Sequence, residues 1–193
     1  MKEIVFLLEE PSAKEVLQNI LPQILPKDDV SYLCIPHQGK RDLEKSIPRK
    51  LRAWNKPDVQ FVIVHDKDSA DCKKLKQTLL ESAKNNNRPD TLVRIVCSEL
   101  ESWFLGDLSA VEKAFSVDLS KKKNKALYRD PDAIENAKEE LKRLVRSYQE
   151  ITGSQSISKY MDISQNKSHS FQVFVSGVRR ICGEEVMKEF EGK

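Results

Sequence analysis

The chain opens on an unbroken apolar run, "KEIVFLL" at 2–8, and comparable runs recur as "VSYLCIP" at 30–36, "VQFVIV" at 59–64 and "TLVRIVC" at 91–97. Short runs of this kind, rich in β-branched residues, predict strands buried on both faces. Between them the apolar positions recur every three or four residues. "SAKEVLQNILPQIL" from Ser12 predicts a helix behind a capping box of Ser12 and Glu15, and "IPRKLRAW" predicts a short helix with Pro48 in its first turn. "HQGKRDLEK", before that short helix, reads as a loop, while "SADCKKLKQTLLESAKNN" predicts the next helix. The last run leads into "ELESWFL", whose Leu100, Trp103 and Phe104 make a core-facing stripe. Strand and helix thus alternate through the first half, which predicts an α/β fold: a four-stranded parallel, Rossmann-like sheet with helices on both faces.

Beyond Gly106 the pattern turns helical. "DLSAVEKAF" and "DAIENAKEELKRLVRSYQEI" read as helices, "GSQSISKYMDISQNKSHS" as loop or broken helix, and "SFQVFVSGVRRIC" as a last amphipathic helix. The chain therefore divides into an α/β core at 1–108 and a C-terminal helical extension at 109–193 packed on it.

An apolar fraction of 39% over 193 residues supports a real core. No apolar run approaches the roughly 20 residues that a bilayer demands, and no basic leader precedes the first strand, so a cytoplasmic protein without a membrane partner is expected. The cysteines, Cys34, Cys72, Cys97 and Cys182, are widely spaced and read as small buried hydrophobes, not as a zinc or disulfide framework. A net charge of +3 is mild, and the basic runs at 37–41, 49–52 and 121–125 are first of all solvated faces.

The acids are distributed more tellingly. Ligands in an open α/β sheet sit at the carboxyl ends of the strands, and there the sequence places Glu9 and Glu10 after the first strand, Asp66, Asp68 and Asp71 after the third, and Glu99 and Glu101 after the fourth. Each has a bland use. Asp68 or Ser69 can cap a helix, Asp71 suits its first turn, and Ser98 with Glu101 can form a capping box. Together, carboxylates crowded at one rim repel one another unless a cation neutralises them, and oxygen donors alone suit Mg²⁺ or Mn²⁺.

A Glu ending the first strand, D-x-D ending the third and an acid after the fourth resemble the TOPRIM domain of topoisomerases, primases and OLD-family nucleases. The series "EEPSAKEVL", "HQGKRDL", "VHDKDSADC", "ELESWFLGD" and "SHSFQVFVSGV" resembles, more closely, small stand-alone RloG-like TOPRIM proteins linked to restriction and phage-defence neighbourhoods. The resemblance implies a TOPRIM-like core and a Mg²⁺-dependent nuclease of DNA or RNA. Glu9, Asp66 and Asp68 would be metal ligands, or Glu9 would instead serve as a general acid or base; Glu99 or Glu101 would join them, and Glu101 matches the family's E-x-W acid. Phosphate contacts fall to Lys40 and Arg41 on the loop after the second strand. An ATPase or another defence protein, or a second copy of the chain, is an implied partner. The family's first motif carries Gly and an acid where this chain has Glu10 and Ala13, which leaves open a non-catalytic binding partner of a defence complex. A receiver-like signalling domain is disfavoured, because acids follow the fourth strand where a Ser or Thr belongs. His65, on the opposite face from Asp66, reads as a supporting core group, and neither it nor His169 is assigned a catalytic part.

Overall fold

The computed structural model describes residues 2–26, 29–56, 58–67 and 70–183. Four strands, β1 (Lys2–Leu8), β2 (Val30–Pro36), β3 (Val59–Asp66) and β4 (Leu92–Val96), form one all-parallel sheet in the order β2-β1-β3-β4. Helices α1 (Pro11–Ile24), α2 (Lys40–Ala53) and α3 (Cys72–Asn85) connect them, and α4 (Glu101–Leu105) leaves β4. The expected Rossmann-like α/β architecture is present.

Alternation along each strand divides the core in two. Ile4, Phe6 and Leu8 of β1, with Val62 and Val64 of β3, face α1, whereas Val5, Leu7, Phe61 and Ile63 face α2 and α3. The first face is completed by α5 (Leu108–Phe115), α8 (Glu150–Ser158) and α9 (His169–Ile181), whose Phe171, Phe174 and Val178 are buried there. Between α5 and α8 the chain makes a single turn, α6 (Ser120–Lys123), two short 3-10 turns and α7 (Ala137–Leu144). The extension and the sheet thus share one apolar cluster.

Several local expectations are corrected. Helix α2 begins at Lys40, so Lys40 and Arg41 lie in its first turn and not on a loop, and Pro48 falls inside it. Its apolar contribution is a narrow stripe of Leu43, Ile47 and Leu51, too sparse to reveal the polar first turns as helical. The Ser12–Glu15 box does not form: α1 starts at Pro11 with Glu10 as its cap residue, and Glu15 accepts a bond from Gln155 of α8. Asp71 does not lie inside α3 but caps it, accepting from the Lys74 N–H at 2.8 Å. The long helix expected over 132–151 is broken after Leu144, where Val145 turns extended and Tyr148 is drawn into the core.

Candidate active site

In the order β2-β1-β3-β4 the chain first moves outward from β1 to β2 and then crosses back to β3. The crevice at the carboxyl ends of β1 and β3 is therefore the topological switch point, where flanking connections diverge and leave room for a ligand. Glu9 and Asp66 stand on its two sides. A Glu9 carboxylate oxygen accepts the Asp66 backbone N–H at 3.0 Å, bridging the two strand ends, and Glu9 is 8% exposed.

His65 holds this arrangement from behind. Fully buried on the α2 face, its Nδ1 donates to the Asp66 carbonyl at 2.7 Å and lies 3.1 Å from the Glu9 carboxylate, while Nε2 lies 3.3 Å from Glu44 of α2. His37 fixes the neighbouring strand end. Its Nδ1 donates to the Leu8 carbonyl at 2.7 Å and its Nε2 accepts from Ser46 at 2.5 Å, and burial keeps its pKa below the usual value. Neither imidazole opens onto the crevice as a nucleophile's base.

Asp66 carries the strongest electrostatic signature. Burial, followed by the charges of Glu9, Glu101 and Glu10, raises its carboxyl well above the usual range, and only the Leu100 N–H at 3.3 Å opposes this. Glu9, Glu10, Ser12, Ala13, Val64, Asp66 and Leu100 enclose a cavity of about 10 Å³, the room of one water or one ion. Glu10 is thereby part of the rim. Asp68 and Ser69 lie outside the described residues.

The acids after β4 take different roles. Ser98 adopts a left-handed conformation (φ 65°) and donates to the Glu135 carbonyl at 2.7 Å, so it caps nothing and the expected Ser98–Glu101 box is absent. Glu99 accepts the Lys138 N–H at 2.9 Å, in the first turn of α7. Glu101, 3% exposed, instead accepts the Tyr148 hydroxyl at 2.9 Å, and burial pushes its carboxyl up to about 7. The Lys138 ammonium, 3.3 Å from Glu150, also feels Glu101 and Glu10, which raise its pKa despite partial burial.

Lys138 and Tyr148 were not among the expected site residues. Both come from the extension, and nothing in their local sequence ties them to the rim. The Tyr148 ring packs against Gly153, where a Cβ would come within 2.5 Å of it.

A hard divalent cation suits the donor set in kind: Glu9, Asp66 and Glu10 offer only oxygen, around a cavity of ionic size. Among the described residues no three His, Cys, Asp or Glu side chains converge as a ligand set. The same described residues include no helix long and apolar enough to cross a membrane.

These features define a Rossmann-like α/β protein with an acidic site at the switch point of its sheet. The chain belongs to the family described as "Domain of unknown function (DUF4276)", which it matches over residues 8–179, from the last residue of β1 through most of α9. Neither the curated proteins nor the solved structures gave a match.

Proposed function

We propose that the protein is a TOPRIM-type, Mg²⁺- or Mn²⁺-dependent hydrolase of nucleic-acid phosphodiesters. The observation that carries this reading is the pairing of Glu9 and Asp66 across the β1/β3 crevice, with the Asp66 carboxyl raised by burial and then by three neighbouring carboxylates. A site that crowds like charges in this way is relieved by a divalent cation. Glu9, Asp66 and either Asp68 or Glu10 would hold the ion. When bound, it would lower the pKa of a water and stabilise charge on phosphate oxygens.

The remaining tasks fall to this chain's own groups. The Asp66 N–H and His65 keep Glu9 from rotating. Glu101, with a carboxyl at about 7, can hold or release a proton near neutral pH, the property required of a general acid or base. Tyr148 orients that carboxyl, and Lys138 sets a positive charge where a phosphate would otherwise face only acids. Lys40 and Arg41, in the first turn of α2, lie on the Glu9 side of the rim, since Gly39 just before them donates to the Glu9 carbonyl. Their part is to contact phosphates. Phage defence, with an ATPase or another defence protein as partner, is the biological setting that the resemblance supports.

One observation favours a second reading. Because Lys138 already stands among Glu101, Glu150 and Glu10, part of the rim's charge is offset without a metal, as a non-catalytic binding partner would require. Incubation of labelled single-stranded, duplex and hairpin DNA and RNA with the protein in Mg²⁺, Mn²⁺ or EDTA separates the two. Cleavage in either metal that disappears in Asp66→Asn supports hydrolysis. No cleavage of any substrate, or equal cleavage by Asp66→Asn, refutes it.

A further inference from the structure

The four cysteines, expected only as small apolar side chains, do not share one setting. Cys34 lies on β2 and Cys182 at the end of α9, whereas Cys72 opens α3 and Cys97 directly follows β4. The backbone brings the last two together. Asp66 is in register with Val96, and beyond that pair the Lys67 N–H donates to the Val96 carbonyl at 2.9 Å. The Ala70 N–H then turns back to the Lys67 carbonyl, also at 2.9 Å, so α3 starts beside the end of β4. There the Cys72 and Cys97 thiols share a hydrogen bond, although 25 positions separate them in the chain.

Two further features suit this pair to sulfur chemistry. Both thiols are half-buried and line the groove of about 430 Å³ between α3 and α9, which gives a small oxidant room to reach either sulfur. Both are also held in place by their neighbours. The Cys97 carbonyl accepts the Ser102 hydroxyl at 2.8 Å, and Asp71, next to Cys72, caps α3 by accepting the Lys74 N–H at 2.8 Å. Thiols fixed side by side need only a small approach to reach the bonded sulfur separation of about 2.05 Å.

We propose that Cys72 and Cys97 are a reversible modification site, at which a peroxide converts the pair to an intramolecular disulfide that clasps the start of α3 to the end of β4. One thiolate attacks a peroxide oxygen; the O–O bond breaks, the departing hydroxide takes up a proton as water, and a sulfenic acid remains. The second sulfur then attacks the first. The S–O bond breaks as the S–S bond forms, and the proton of the second thiol leaves with the hydroxide as water. Two electrons pass from the sulfurs, and the peroxide is reduced to two waters. Cys72 comes six residues after Asp66 and Cys97 four before Glu101, so the bond ties together two segments that lead to the acidic rim. Any effect on an ion at that rim rests on the hydrolase reading; the disulfide does not.

The test treats the native, reduced full chain with hydrogen peroxide in EDTA, alkylates the remaining thiols and maps tryptic fragments without reductant. The fragment ending at Lys73 should be joined to the one beginning at Ile95, short of their summed mass by two hydrogens, while Cys34 and Cys182 are recovered alkylated. The rate of linkage should not depend on protein concentration, and dithiothreitol should restore both thiols. Cys72→Ser and Cys97→Ser should each abolish the link, and a folded protein from either one suffices. Hydrogen exchange over residues 70–76 should slow at least about tenfold in the disulfide form, because the clasp opposes local opening of the first turn of α3. Recovery of Cys72 and Cys97 unlinked, linkage to Cys34 or Cys182 or between two molecules, linkage that forms only in urea, or unchanged exchange over 70–76 would each overturn the proposal. EDTA removes metal chemistry from the assay. Failure of the disulfide therefore leaves the cleavage test intact, and failure of cleavage leaves the disulfide result intact.

Discussion

Glu101→Gln should stabilise the metal-free protein at neutral and alkaline pH, with a gain that vanishes in acid. Glu101 is 3% exposed, and burial lifts its carboxyl from 4.5 to about 7. A carboxyl whose folded value lies above its unfolded value binds its proton more tightly in the native chain. Its contribution to stability is therefore fully present below 4.5 and is lost as the pH rises through about 7. The interval of about 2.5 pH units, at about 1.4 kcal/mol each, makes the charged native form about 3 kcal/mol less stable than an unshifted carboxyl would leave it. Gln retains an oxygen to accept the Tyr148 hydroxyl, so the hydrogen bond need not be lost. Lys138 loses one favourable neighbour but keeps Glu150, which trims the gain. Thermal unfolding in EDTA between pH 4.5 and 8.5 reads the difference directly. The variant should melt with the wild type at the acid end and about 6–12 °C above it at the alkaline end, given the usual scaling for a chain of this length. His37, lowered, acts in the opposite sense and is common to the two proteins, whereas Asp66, raised by burial and in part by the Glu101 charge, is raised less in the variant, which adds to the gain at alkaline pH. A difference that stays flat across pH, or a variant less stable at pH 8, would refute the reasoning.

Tyr148→Phe should cost about 1–3 kcal/mol at pH 8, because it strips a donor from a buried carboxylate, and urea unfolding measures the loss. Gly177→Ala should destabilise by about 1–3 kcal/mol through its collision with Arg94; an unchanged urea midpoint would show that the two residues are not in contact. Lys40→Ala/Arg41→Ala should weaken single-strand binding severalfold and lower the salt slope by about 1.4, which anisotropy over a salt series will show.

The sheet was legible because its strands are unbroken apolar runs and the helical stripes between them are separated by clear turns. The strand-end acids were legible for the same reason, since parallel topology alone sends Glu9 and Asp66 to one rim. Their contact across the switch point was not, because strand order cannot be read from a run of apolar residues. Capping was read too locally. Ser12, Ser98 and Glu101 satisfy the spacing of a cap, yet Ser98 is held by the Glu135 carbonyl and Glu101 by Tyr148, both from the extension. The same cause hid the break after Leu144. A helical pattern continues through Val145 and Tyr148, but burying these two side chains against the sheet's first face, with Tyr148 bonded to Glu101, outweighs the helical turn they interrupt. Arg94 gave no sign in a strand otherwise apolar, because its compensation lies at Gly177, far along the chain.

The central claim is that Glu9 and Asp66 hold a divalent cation, and titration calorimetry with Mg²⁺ and Mn²⁺ in two buffers of different ionisation enthalpy tests it most directly. A cation held there favours the charged form of every neighbouring carboxyl, and Glu101, at about 7, with Asp66, raised by burial and by Glu9, Glu101 and Glu10, are the groups from which it would draw protons. Saturable binding is predicted near neutral pH, with net proton release that appears as a heat dependent on the buffer, and Asp66→Asn should abolish both. Absence of binding by the wild type, or binding retained with the same proton release in Asp66→Asn, would contradict the claim.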